Sequence, residues 1–196
     1  MTPLSRAKES LKSLHTKSCP DFIIDARFTS PIQMFRNLVS LNVGTSCHYP
    51  NDDNRCASKL DNDDVTELTI SLPKLKSLFL GGLCTENTCV TTAACLLQIS
   101  VHCLRLRDLE IHFNTTNIVD DLKMISGDPR FQELRSLPKC TLLFFDAFSM
   151  PLALDEPGFK AVINGMTNIF PCLEYCVGSD PAWIELSERL VRLRRT

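Results

Sequence analysis

Apolar residues recur along this chain on one frame, L-x-x-L-x-L. It occupies Leu38, Leu41 and Val43; Leu75, Leu78 and Leu80; and Leu106, Leu109 and Ile111. It is read again at Cys140, Leu143 and Phe145, and at Leu173 and Cys176, where Gly178 stands in the third place. The starts at 38, 75, 106, 140 and 173 are 37, 31, 34 and 33 residues apart. Near-regular recurrence over most of a chain predicts stacked units that bury one shared core, since no single unit can bury its own apolar stripe.

Helical patterns lie between the frames. Val65, Leu68 and Leu72 share a face, with acidic residues in the first turn and Pro73 beyond the end. Val90, Ala93, Ala94, Leu97 and Val101 form a second stripe, and Phe159, Val162, Ile163, Met166 and Phe170 a third. Ile118, Leu122 and Ile125 predict a short helix broken at residues 127–129, with Phe131 and Leu134 in a second. Each unit therefore reads helix, tight turn, short strand, loop, and the helix supplies the crossover that parallel strands need. The predicted architecture is α/β: a leucine-rich-repeat-like right-handed solenoid fragment, with short parallel strands on the concave side and helices on the convex side. An ordinary doubly wound α/β domain is the other arrangement that alternates helix and strand, although its strands are usually apolar throughout.

Around this body, residues 1–18 read as a basic amphipathic arm or helix with Leu4, Leu11 and Leu14 on its apolar side. Residues 19–196 form the repeat domain, which includes a polar acidic loop at 44–64. A helix at 181–194, carrying Trp183, Leu186, Leu190 and Leu193, would cap the open end.

The local phrases also resemble a known family. "DDVTELTISLPKLKSLFLGGLC" and "VTTAACLLQISVHCLRLRDLEIHFNTTNIVDDL" closely resemble the leucine-rich-repeat region of fungal F-box-domain proteins, as does "FPCLE" near the end. In that family a helix ending in His-Cys and a proline precedes a strand of the type L-x-x-L-x-I-H-F; here Leu104 follows Cys103. The resemblance covers roughly residues 30–190. It implies substrate recruitment by the repeats to a cullin-type ubiquitin ligase. Adaptor docking belongs to the F-box, whose "LPxE" start is not found ahead of the first frame, so docking is not carried over to this chain.

Composition narrows the chemistry. The 196 residues are 44% hydrophobic and 22% charged, as in ordinary globular chains, and suffice for one sizeable core. A net charge of −2 argues against nucleic acid as partner. No run approaches the ~18 apolar residues of a membrane span, and the first residues lack the apolar stretch of a signal peptide. Ten cysteines, several within apolar runs (Cys95, Cys103, Cys140, Cys172 and Cys176), read as reduced core thiols of a cytoplasmic or nuclear protein. The cluster Cys84, Cys89, Cys95, His102 and Cys103 lacks paired zinc knuckles, and no metal or other cofactor is expected. No G-x-S-x-G, P-loop or dinucleotide fingerprint occurs.

The function expected is a non-catalytic protein–protein interaction module whose partner is another protein. The alternative is a cysteine-dependent hydrolase on an α/β scaffold. Strand alternation picks out the partner face. If Leu78 and Leu80 point inward, Phe79 points outward, together with Asp108, Glu110 and His112 and with Leu142, Phe144 and Asp146. Phe79, Leu142 and Phe144 would form an apolar strip beside acidic Asp108 and Glu110, with His112 solvent-facing.

Overall fold

The computed structural model describes residues 8–17, 24–45, 59–82, 89–127, 141–142, 144–146, 153–178 and 180–194. Among them six strands form one sheet, in chain order and all parallel: β1 (Ser13–Lys17), β2 (Ser40–Thr45), β3 (Ser77–Gly82), β4 (Asp108–Ile111), β5 (Phe144–Asp146) and β6 (Tyr175–Val177). The order never reverses, so the sheet has no switch point of the doubly wound kind. The helices between and after the strands are α1 (Ala26–Thr29), α2 (Asn62–Ser71), α3 (Cys95–His102), α4 (Ile118–Gly127), α5 (Glu156–Ile169) and α6 (Pro181–Arg194).

Register explains why the leucine frame recurs. Leu14, Leu41, Leu78, Leu109, Phe145 and Cys176 are successive partners across the sheet, and Thr16, Val43, Leu80 and Ile111 form the next inward row. These rows and the buried helix residues share one hydrophobic cluster, so the helices pack on the inward face.

The first leucine of each frame lies in the turn before its strand. Leu38, Leu75, Leu106 and Leu173 are buried, and each donates its N–H to the carbonyl three residues back, on Phe35, Leu72, Cys103 and Phe170. Those four acceptors share one backbone conformation, with ψ of 59°, 57°, 60° and 77°. A second bond pattern ties unit to unit. The Lys12 carbonyl accepts from Val39 and Ser40, that of Val39 from Lys76 and Ser77, and that of Lys76 from Arg107 and Asp108. Leu104 in place of proline leaves this turn unchanged, because Leu106 N still donates to Cys103 O at 2.9 Å.

Four sequence expectations are corrected. The fourth occurrence starts at Leu142 and not at Cys140: Phe145 pairs with Leu109, so Leu142 and Phe145 hold its first two places. Leu142 is accordingly fully buried in the turn position. Secondly, residues 13–17 are a strand and not part of an amphipathic helix, because Leu11, Leu14 and Thr16 carry the frame one unit earlier. Leu4 and residues 1–7 lie outside the described residues. Thirdly, α3 begins only at Cys95 and buries Cys95, Leu96, Leu97 and Ile99, while Val90 is exposed. The preceding threonines are otherwise engaged. Thr91 Oγ1 donates to Leu60 O, Thr92 N donates to Asn62 Oδ1, and Thr92 bridges Asn114. Fourthly, the acidic loop is shorter than residues 44–64. Gly44 and Thr45 belong to β2, and Asp61 caps α2 through a reciprocal capping box with Asp64. Residues 46–58 lie outside the described residues, as do Cys84, Phe131, Leu134 and Cys140.

The remaining helices follow their patterns. In α4 Ile118, Leu122 and Ile125 are buried, and in α5 so are Phe159, Val162, Ile163 and Met166, with Asp155 capping through Gly158 N at 2.8 Å. Helix α6 closes the β6 end of the core with Trp183, Leu186 and Leu190, whereas Leu193 is exposed. Trp183 sits against Phe145, ring centroids 5.8 Å apart. It fills the third place of the last frame, since a Cβ on Gly178 would lie 2.6 Å from Trp183 Cβ. Glycine stands there because tryptophan from the next helix needs the room.

In β1 the same inward place is taken by Thr16, whose hydroxyl is buried with no partner among the described residues. An unsatisfied buried hydroxyl costs about 1 kcal/mol or more. Thr16→Val keeps the shape and removes that cost. It is expected to raise stability by about 1 kcal/mol, a gain of about 2–4 °C in Tm by calorimetry.

Candidate functional site

The outward positions of the six strands form three rows. The first runs Ser13, Ser40, Ser77, Asp108, Phe144, Tyr175; the second runs His15, Asn42, Phe79, Glu110, Asp146, Val177. The third holds Lys17, Gly44 and Gly81, and His112 N extends the β4 ladder to Leu80 O beside them.

This register brings together six of the seven residues singled out from the sequence: Phe79, Asp108, Glu110, His112, Phe144 and Asp146. Leu142 is the exception, for the reason given above: it belongs to the turn and the core, not to the apolar strip.

Exposure along the face is uneven, and glycines set it. Phe79 is half-buried and leans diagonally over Gly44, where a Cβ would lie 3.4 Å from its Cε1. His112 lies over Gly81, with its ring carbons 3.1 Å from where a Cβ would be. Its side chain does point opposite to Ile111, yet the residue is only 4% exposed and not solvent-facing. The bare backbone of the neighbouring strand admits the imidazole closely enough to cover it.

Asp108 is exposed and Glu110 half-buried. On β6, Tyr175 is 53% and Val177 40% exposed, large values for apolar side chains. Sequence reasoning did not reach these two, although the frame at Leu173 and Cys176 places both on the outward face. His15, at the β1 end of the second row, was missed along with that strand.

The thiols form a separate set. Cys95 and Cys176 are buried free thiols, and burial pushes both well above the usual thiol range; Asp121 adds to the effect at Cys95. The reactive form is the thiolate, so these two stay inert. His102, near the C-terminal end of α3, is shifted below the ordinary imidazole range by desolvation. Among the described residues no three His, Cys, Asp or Glu side chains gather as a metal site. Iodoacetamide labelling of the native protein, read by peptide mass spectrometry, is expected to leave Cys95 and Cys176 unmodified until denaturant is added. Rapid native labelling of either would contradict their burial.

No family model matches the chain, and no curated protein matches it. Among the described residues no helix is long and apolar enough to cross a membrane.

Proposed function

We propose that the chain is a leucine-rich-repeat-like right-handed solenoid fragment that works as a non-catalytic protein–protein interaction module, its strands lining the concave, partner-binding side and its helices the convex side. The observation that carries this reading is the repetition of one unit in register. The turn conformation, the carbonyl that accepts from two successive N–H groups, and the inward leucine row recur from strand to strand. Parallel crossovers are right-handed in about 98% of cases, which gives the hand.

Such a unit leaves outward positions available to a partner, although His112 is buried over Gly81. Asp108, Tyr175 and Val177 are exposed on that side, and Phe79 is partly so. Cys95 and Cys176, buried and neutral, supply no nucleophile for the alternative cysteine-dependent hydrolase. The resemblance to the repeat region of fungal F-box proteins supports the same role and points to recruitment of a protein substrate for ubiquitination. Adaptor docking is not part of the proposal.

The test is a paired affinity purification with the wild-type chain and a Phe79→Ala/Tyr175→Ala variant as baits. Both side chains are partly exposed, so the variant is expected to melt within a few degrees of wild type. A specific partner should be recovered with the first bait and lost with the second. A partner retained equally by both baits would place binding elsewhere.

A further inference from the structure

We infer that the turns leading into β1 to β4 form a basic strip that takes an acidic stretch of another protein. The strip lies along one end of the strands and not on their outward rows. It shares with the reading above only that the partner is a protein.

Two turn positions build it. The residue before each strand is Lys12, Val39, Lys76 and Arg107 from β1 to β4. These four stack, because the carbonyls of Lys12, Val39 and Lys76 each accept from the N–H of the next. Two residues earlier stand Asn37, Lys74 and Arg105, and Lys74 Nζ donates to Asn37 Oδ1 from turn to turn at 2.6 Å. Lys74 and Lys76 thus flank buried Leu75, and Arg105 and Arg107 flank buried Leu106. Neighbouring strands lie about 4.8 Å apart, so these four exposed cations share one small patch. Lys12 and Arg36, also exposed, extend it towards β1. Within the four turns, residues 8–13, 35–40, 72–77 and 103–108, the carboxylates are Glu9 and Asp108 alone, so the strip is positive.

Three observations separate this strip from ordinary surface charge. Away from it, Arg27, Arg189 and Arg192 each pair with a carboxylate. On it, Lys12, Arg36, Lys74, Lys76, Arg105 and Arg107 make no ion pair among the described residues. Secondly, the turn does not need the charge. The same turn is built with Asn37 and Val39 before β2, and with Cys172 and Glu174 before β6. Thirdly, helix ends do not account for it. A helix dipole acts within the last turn, whereas α2 ends at Ser71 and α3 at His102, ahead of all four cations of the patch. Neighbouring like charges weaken the fold slightly, and an anionic partner would neutralise them.

Length points to the class of partner. Lys12 and Arg107 are three strands apart, roughly 14 Å, which residues i to i+4 of an extended peptide span with i, i+2 and i+4 facing the same way. Arg105 and Arg107 can each hold a carboxylate through two parallel N–H donors. A nucleic-acid backbone calls for a basic excess that a chain of net charge −2 lacks.

The experiment is titration of the full chain with a fluorescein-labelled decapeptide of alternating glutamate and serine, read by fluorescence polarisation. The peptide is expected to bind, and to weaken as salt is added. Affinity should fall about tenfold with Lys76→Gln/Arg107→Gln. It should hold with Lys59→Gln/Lys123→Gln, which removes the same charge from exposed places off the strip. The strip variant should melt no lower than wild type. Equal loss with both variants would show net charge alone at work and overturn the strip. Tighter binding of an oligonucleotide of equal charge, or of phosphatidylserine vesicles, lost with the strip variant, would overturn the class of partner. A peptide that does not bind would overturn the inference, while the outward-face reading stands or falls separately on Phe79→Ala/Tyr175→Ala.

Discussion

Leu78→Asp is expected to unfold the protein. Leu78 lies at the centre of the inward row, 1% exposed, between Leu41 on one strand and Leu109 on the other. A carboxylate there has no cation within the apolar cluster, and its desolvation is not recovered. The cost is about 3–5 kcal/mol, a large part of the roughly 5–15 kcal/mol that holds an ordinary domain together. Circular dichroism should show a lost or sharply lowered melt. The adjacent substitution is the control. Phe79→Ala removes an outward side chain that touches the backbone of Gly44, and should shift the melt by only a few degrees. A variant pair behaving in the opposite order would reverse the assignment of inward and outward faces.

Trp183→Ala should be nearly as damaging, at the other end of the sheet. Trp183 is fully buried, meets Phe145 on β5, and occupies the space that Gly178 leaves open. Removing it leaves a cavity where β6 and α6 join, at about 3–5 kcal/mol and a fall in Tm on the order of 10 °C. Gly178→Ala approaches the same joint from the other side, since its new methyl group would overlap Trp183 Cβ. Overpacking of that kind costs about 1–3 kcal/mol. The two effects should not add. Once the indole is gone the extra methyl has room, so the double variant should be no less stable than Trp183→Ala alone. Strict additivity in chemical denaturation would show that Gly178 and Trp183 do not share a site.

Much of this architecture was readable because the inward rows are made of leucine. Leu38, Leu75, Leu106 and Leu173 each begin a frame whose second residue proved to be a sheet partner of the next. Where reading failed, the frame was blurred. In β1 the third apolar place is Thr16, and lysine and histidine surround it, so the strand passed for a basic arm. Near β5, Leu142 and Leu143 stand side by side, and apolar pattern alone allows two registers. Only pairing with Leu109 chooses between them, because a slip along a strand changes which residues meet. The burial of His112 could not be read from its own strand, since it depends on Gly81 in the preceding one. Tyr175 and Val177 were within reach, as their frame was recognised but its outward positions were not followed to the last strand.

The contacts of Phe79 with Gly44, and of His112 with Gly81, have an evolutionary consequence. A large residue at either glycine would collide with a side chain one strand further on, so the surface chemistry cannot be rewritten one letter at a time. Changing what this protein recognises at those places requires paired exchanges, a bulkier group on one strand with a smaller one on its neighbour. Relatives that have diverged in specificity should carry the imprint as size swaps correlated between consecutive repeats.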